Sequence, residues 1–160
     1  MPGDYAVIND GRLVVEYWSE PLAIRDILEH EALHLADDTI KENALCIVDM
    51  RNIVSNLTIE EIHRIAQMNL TSPNGLKHYK IAIVCTESDI YRQSQIYELS
   101  LCEQGVSIIT FTSLPVACAW LDIDLHDVEF TVSQLKNRIE NLQVRVVDLD
   151  RVSPSRNNQS

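Results

Sequence analysis

The chain has only four glycines, and none belongs to a GxGxxG or P-loop pattern, so a nucleotide cofactor held on a glycine-rich turn is not expected. Its four cysteines, Cys46, Cys85, Cys102 and Cys118, show no CxxC or other metal-like spacing. Three of them lie in apolar runs, where cysteine behaves as a small hydrophobe. No polybasic run is present, and the 160 residues carry a net charge of −11. An acidic chain repels phosphate backbones and anionic headgroups, so neither nucleic acid nor a membrane surface is an expected partner. No apolar stretch reaches the roughly 18 residues of a spanning helix. The N-terminus lacks a basic segment leading into a long apolar one, so a signal peptide is not expected. A reduced cytoplasmic setting fits these absences. No serine or cysteine stands beside a credible His–acid pair, and nucleophilic catalysis has no support.

What is present is a strong α/β pattern. Hydrophobic residues make up 46% of the chain, enough for one real core. "YAVIN-DG-RLVVEYW" reads as a hairpin, because Asp10-Gly11 suits the positive φ values of a type I′ turn. Ser19 and Pro21 are expected to open a helix from Pro21 to about Asp37. "ALCIVDM" and "YKIAIVCT" are short, nearly continuous apolar runs, as expected of strands buried on both faces. Between them Thr58 and Glu61 form a capping box ahead of "IEEIHRIAQMNL", which "SPNG" stops. Ser88 and Asp89 are expected to cap a helix that Gly105 closes, followed by the strand "VSIITF" and a short helix from near Ser113. The order β-β-α-β-α-β-α-β-α implies a mostly parallel five-stranded sheet with one antiparallel N-terminal edge.

Beyond Asp122 the character changes. Residues up to Asp122 hold 18 acidic side chains against 8 basic ones, and the remainder is nearly balanced. Leu125, Val128, Val132, Leu135, Ile139 and Leu142 follow a 3-4-3-4-3 spacing, a heptad seam. That seam either packs back on the domain or pairs with a second copy. The favoured expectation is a homodimer through residues 123–149, aided by the globular part because so short a coiled coil is weak alone. The domain is expected over 1–122 and the helical extension over 123–150, with 143–150 open between helix and strand. A polar disordered tail is expected over 151–160.

The succession "LCIVDMRNI", a capped helix, "KIAIVCTESDIY", and "VSIITFTSLPVACAWL" resembles the SpoIIAA-like proteins of the STAS-like group, over about Tyr5 to Asp122. The resemblance implies a non-enzymatic domain that binds a regulatory protein partner. Similar folds of the CRAL-TRIO-like kind imply the alternative of a small lipid or apolar-metabolite carrier. It also implies a phosphorylatable position nine residues after the acidic strand end, which here is Thr58. The surrounding Leu57-Thr58-Ile59-Glu60 departs from the relatives' Asp-Ser-Ser-Gly, so helix capping is the first role expected of Thr58.

Two clusters are candidates for a site. Ligands gather at the carboxyl ends of strands in open α/β sheets, which points to a rim of Asp49, Arg51, Thr58, Ser88 and Tyr91. A mutual Asp49–Arg51 pair is the simpler role for two of these. The second candidate is His30-Glu31-Ala32-Leu33-His34, which matches the HExxH pattern of zinc peptidases. A zinc-dependent hydrolase needs a third ligand, and none is recognisable in the sequence. At about 100° per residue, Ile24, Ile27, Leu28, Ala32 and Leu35 form the expected buried arc. His30 and His34 fall at its border. Glu31 falls inside it and so requires a partner, such as Arg12 or Arg25. No cofactor is expected.

Overall fold

The Asn9–Arg12 turn folds β1 (Gly3–Ile8) antiparallel onto β2 (Leu13–Trp18), with the Arg12 amide donating to the Asn9 carbonyl at 3.2 Å. Asp10 and Gly11 both hold positive φ, as the hairpin twist demands. A Cβ at Gly11 would collide with the Thr39 carbonyl oxygen, so the close approach also selects glycine there. This computed structural model describes residues 2–19, 23–51, 53–72 and 77–152, the last six of these as backbone only.

From β2 the chain alternates strand and helix: α1 (Ile24–Ala36), β3 (Ala44–Asp49), α2 (Ile59–Thr71), β4 (His78–Val84), α3 (Ser88–Leu101) and β5 (Ser107–Phe111). The sheet order is sequential, β1-β2-β3-β4-β5, with every pair after the first parallel. The connections between successive neighbours put α1, α2 and α3 on one face. The opposite face is covered by α4 (Leu114–Leu121) and α5 (Leu125–Val152). The mixed α/β sheet expected from the sequence is therefore present.

Strand alternation divides β2 between two cores. Leu13, Val15 and Tyr17 pack with Leu114, Leu121 and Val128 beneath α4 and α5. Val14 and Trp18 point the other way, into the layer under α1, α2 and α3. Glu16 lies between them on that second face, with only 4% of its surface exposed.

Several local expectations need correction. Ser19 does not cap α1: its amide and hydroxyl both donate to the Pro2 carbonyl, extending the hairpin, and α1 begins after Ala23 with no side-chain cap. Pro21 and most of "SPNG" lie outside the described residues. Ser88 is the first residue of α3, not its cap, and Glu87 precedes it without a capping bond. Thr58 does form the capping box, accepting from the Glu61 amide while Glu61 accepts from its own. Gly105, at φ 76°, ends the 3-10 turn Cys102–Gln104 that continues from α3.

The heptad residues Val128, Val132, Leu135 and Ile139 are all buried in the chain's own core. Only two residues separate α4 from Asp124, whose carboxylate accepts from the Asp127 amide, so α5 folds straight back on the sheet. Residues 143–150, whose sequence suits helix and strand alike, continue α5. Among the described residues near the end of α5, Leu142, Val144 and Val146 are the exposed apolar side chains. The tail expected over 151–160 lies outside the described residues from Ser153 onward.

Candidate buried histidine–carboxylate site

Glu16 extends from the middle of β2 towards α1, and both histidines of the HExxH stretch meet it. His30 Nε2 lies 3.2 Å from Glu16 Oε2, and His34 Nδ1 lies 3.3 Å from Oε1. The ligating atoms of the three residues all fall within 4.8 Å of one another. The Trp18 indole donates to Glu16 Oε2 at 3.3 Å and the Cys46 thiol to Oε1 at 3.6 Å.

The buried face of α1 consequently differs from the arc expected from hydrophobicity. Ile27, His30 and His34 are buried, whereas Ala32 is exposed. A polar stripe becomes the inward one because a carboxylate waits for it on the sheet. Aromatic rings complete the enclosure: Tyr5 stands edge-on to His30 at 5.3 Å between centroids and 4.9 Å from His34, and Trp18 lies 4.6 Å from His30. Tyr5 is itself anchored by donating its hydroxyl to Asp37 Oδ2 at 2.9 Å.

The electrostatics are those of a tightly coupled buried cluster. Burial alone would raise the Glu16 carboxyl, but the facing His30 and His34 outweigh it and hold Glu16 below the usual carboxylate range. Burial likewise pulls His30 down, and the Glu16 carboxylate more than reverses it, so His30 is raised. His78, whose ring centroid is 4.9 Å from that of His34, is pushed down to about 4, first by burial and then by the positive charge of His34.

His78 yields a pH prediction. The groups facing it are His34 from α1, Glu16 from β2 and its neighbour Lys77. With a folded pKa of about 4 against 6.5 unfolded, the unfolded chain binds the extra proton between those values. Stability from this group is thus complete above pH 6.5 and is lost as pH falls towards 4, by on the order of 3 kcal/mol. Urea denaturation across that window should show this loss in the wild type and not in His78→Leu. Parallel profiles for the two proteins would contradict it.

Glu31 has a partner of a different kind from the base expected. Asn69 Nδ2 donates to Glu31 Oε2 at 3.0 Å, and Asn69 also meets the Tyr97 hydroxyl at 3.2 Å. Arg25 instead faces the exposed Glu29 at 4.0 Å. Burial and the nearby Glu16 charge raise the Glu31 carboxyl, favouring its protonated form. One end of the buried Asn69 amide has no partner.

Between the sheet and α1, α2 and α3 runs a cavity of about 130 Å³. Its walls are mostly aliphatic, among them Ile27, Ile62, Ile65, Ile81 and Ile83. Glu16, Glu31, His34, Asn69, His78 and Tyr97 supply its polar lining.

The strand-end rim is arranged differently. Arg51 clasps Asp49 with two bonds, Nε to Oδ1 at 2.9 Å and Nη2 to Oδ2 at 2.8 Å. By alternation Asp49 shares the α4–α5 face with Ile47, whereas Thr58 and Ser88 open helices on the opposite face. Tyr91 is partly exposed on α3. None of these five residues lines the cavity, although their neighbours Ser55, Leu57, Ile90 and Gln93 do.

Glu16 is the residue that sequence reasoning missed. Its signal was an acid in the middle of the β-rich run "LVVEYW", where charge is costly unless something pairs with it. No protein-family model matches this chain, and no curated protein or solved structure matches it significantly.

Proposed function

We propose that this protein works by binding, and that its ligand is a small, largely apolar molecule with one hydrogen-bonding group, held between the sheet and α1–α3. The observation that carries this reading is the aliphatic cavity of about 130 Å³ with an unpartnered amide end at Asn69 in its wall. A void of comparable volume, about 150 Å³, accommodates a benzene-sized molecule. Asn69, Glu31 and Tyr97 offer an alcohol or carbonyl a place to bond. Glu31 is poorly suited to the base role of an HExxH hydrolase, because burial favours its protonated form and Asn69 already engages it. We therefore assign no chemical step to it. The order of elements supports placing the chain among STAS-like binding domains. The exposed Leu142, Val144 and Val146 support a pairing of copies through the end of α5.

The test is thermal denaturation with benzyl alcohol and related small aromatic alcohols, in buffer containing a chelator. At about tenfold excess over Kd, the expected gain is roughly 1.4 kcal/mol, or about 3–6 °C in Tm. Ile83→Phe, which fills the cavity, should fold and lose the response. The reading fails if no member of the series shifts the wild type, or if Ile83→Phe responds equally.

A further inference from the structure

The geometry points to a second site in the same region: Glu16, His30 and His34 form a binding site for a divalent transition metal of the zinc class, with an open coordination position towards the cavity. This inference stands whether or not an organic molecule occupies the cavity.

Four observations support it. The donor set is two imidazoles and one carboxylate, a combination that suits zinc and its neighbours. The separations also fit. Metal–ligand bonds of about 2.0–2.2 Å at tetrahedral angles place neighbouring donors roughly 3.3–3.5 Å apart. Each histidine faces its own carboxylate oxygen, His30 Nε2 at 3.2 Å from Glu16 Oε2 and His34 Nδ1 at 3.3 Å from Oε1. One donor atom from each residue falls within 4.8 Å of the other two, close enough for a small adjustment of the side chains to bring them onto one ion.

The third observation is a misalignment. His30 Nε2 is ion-paired with Glu16 Oε2 at 3.2 Å, yet the contact is not aligned as a hydrogen bond. His34 Nε2 is buried and unpartnered, so the cluster is not a closed hydrogen-bond network.

The fourth is preorganisation. All three residues sit on regular elements, β2 and α1, and their side chains are nearly inaccessible. Tyr5 and Trp18 pack against the imidazole rings, and the Trp18 indole and Cys46 thiol hold the two carboxylate oxygens. Such supporting contacts orient ligands before the ion arrives. Glu16 and His34 both line the cavity, which leaves the remaining coordination position facing it.

The experiment uses the tag-free full chain, stripped with chelator and titrated with Zn²⁺ and separately with Co²⁺. The expected result is on the order of one equivalent bound, with a visible Co²⁺ ligand-field spectrum of a low-coordinate site. Glu16→Gln and His34→Gln should each weaken binding by about 100-fold or more. Histidine NMR signals of the wild type supply a readout that needs no substitution: those of His30 and His34 should shift with the metal. The double variant His63→Gln/His126→Gln, which removes two exposed histidines, should keep the full equivalent. Uptake below about 0.1 equivalent, binding unchanged in Glu16→Gln, or loss of binding in the surface double variant overturns the inference. Because the benzyl alcohol assay runs with chelator present, failure here leaves that result intact, and the reverse also holds.

Discussion

Glu16→Ala is expected to destabilise the metal-free protein by roughly 3–5 kcal/mol, the usual cost of removing one partner from a buried charge pair. At about 2–4 °C per kcal/mol for a chain of this size, Tm should fall by on the order of 10 °C. The substitution leaves His30 and His34 buried with no carboxylate between them. The pH window follows from the directions of the shifts. Glu16 is lowered, so its contribution is complete above its ordinary value of 4.5 and lost as pH falls below that. His30 is raised, so its contribution is complete below its ordinary value of 6.5 and lost as pH rises through its folded value. Between pH 4.5 and 6.5 both are in full effect, and the difference between wild type and variant should be largest there. The triple variant Glu16→Leu/His30→Leu/His34→Met should recover much of the loss, because a buried ionic cluster replaced by apolar residues of similar size often costs nothing. Urea denaturation in chelator measures all three proteins. If the triple variant is as unstable as the single one, the penalty comes from packing and not from unpaired charge.

Leu135→Ala is the second large expectation. Leu135 is 0% exposed and packs against the face of the sheet that α4 and α5 cover, so truncation should cost about 3–4 kcal/mol. Leu142, one heptad further along the same seam, is 56% exposed, and Leu142→Ala should stay within about 0.5 kcal/mol. The comparison asks whether α5 is part of the domain or an appendage. A single cooperative urea transition, displaced in Leu135→Ala and unmoved in Leu142→Ala, is the result expected of an integral helix. Equal effects at the two positions would contradict the packing.

The heptad illustrates how far a sequence pattern reaches. A 3-4 repeat of apolar residues specifies an amphipathic helix and its wet and dry sides. It does not specify the surface that covers the dry side, because lateral packing on a sheet and pairing with a second helix bury the same stripe. Here the three-residue link after α4 returns α5 to the sheet, where β1 and β2 offer an apolar face. The capping box at Thr58 was fully legible for the opposite reason: its two hydrogen bonds join residues three apart and need nothing distant. Ser19 and Ser88 carried the same local signal and were used otherwise, Ser19 because the carbonyl of Pro2, 17 residues away, competes for it.

For the candidate site the division is sharper. The histidine spacing of "HEALH" was visible as a pattern on one helix, but its third member lies on β2, 14 residues before His30. Nothing in the order of residues says that the even-numbered face of β2 meets the 30/34 stripe of α1. Burial estimated from hydrophobicity turned α1 towards Ala32, because such estimates assign every histidine to the border.

By itself, then, the sequence determined the alternation of strands and helices, the hairpin at Asp10-Gly11, the buried central strands and the amphipathic last helix. These follow from local backbone preference and from the periodicities of 2 and 3.6 residues. The tertiary structure alone decided that Glu16 faces His30 and His34, that Glu31 meets Asn69, and that a cavity lies beside them. Those outcomes depend on register and crossover hand, which bring together side chains that share no local signal.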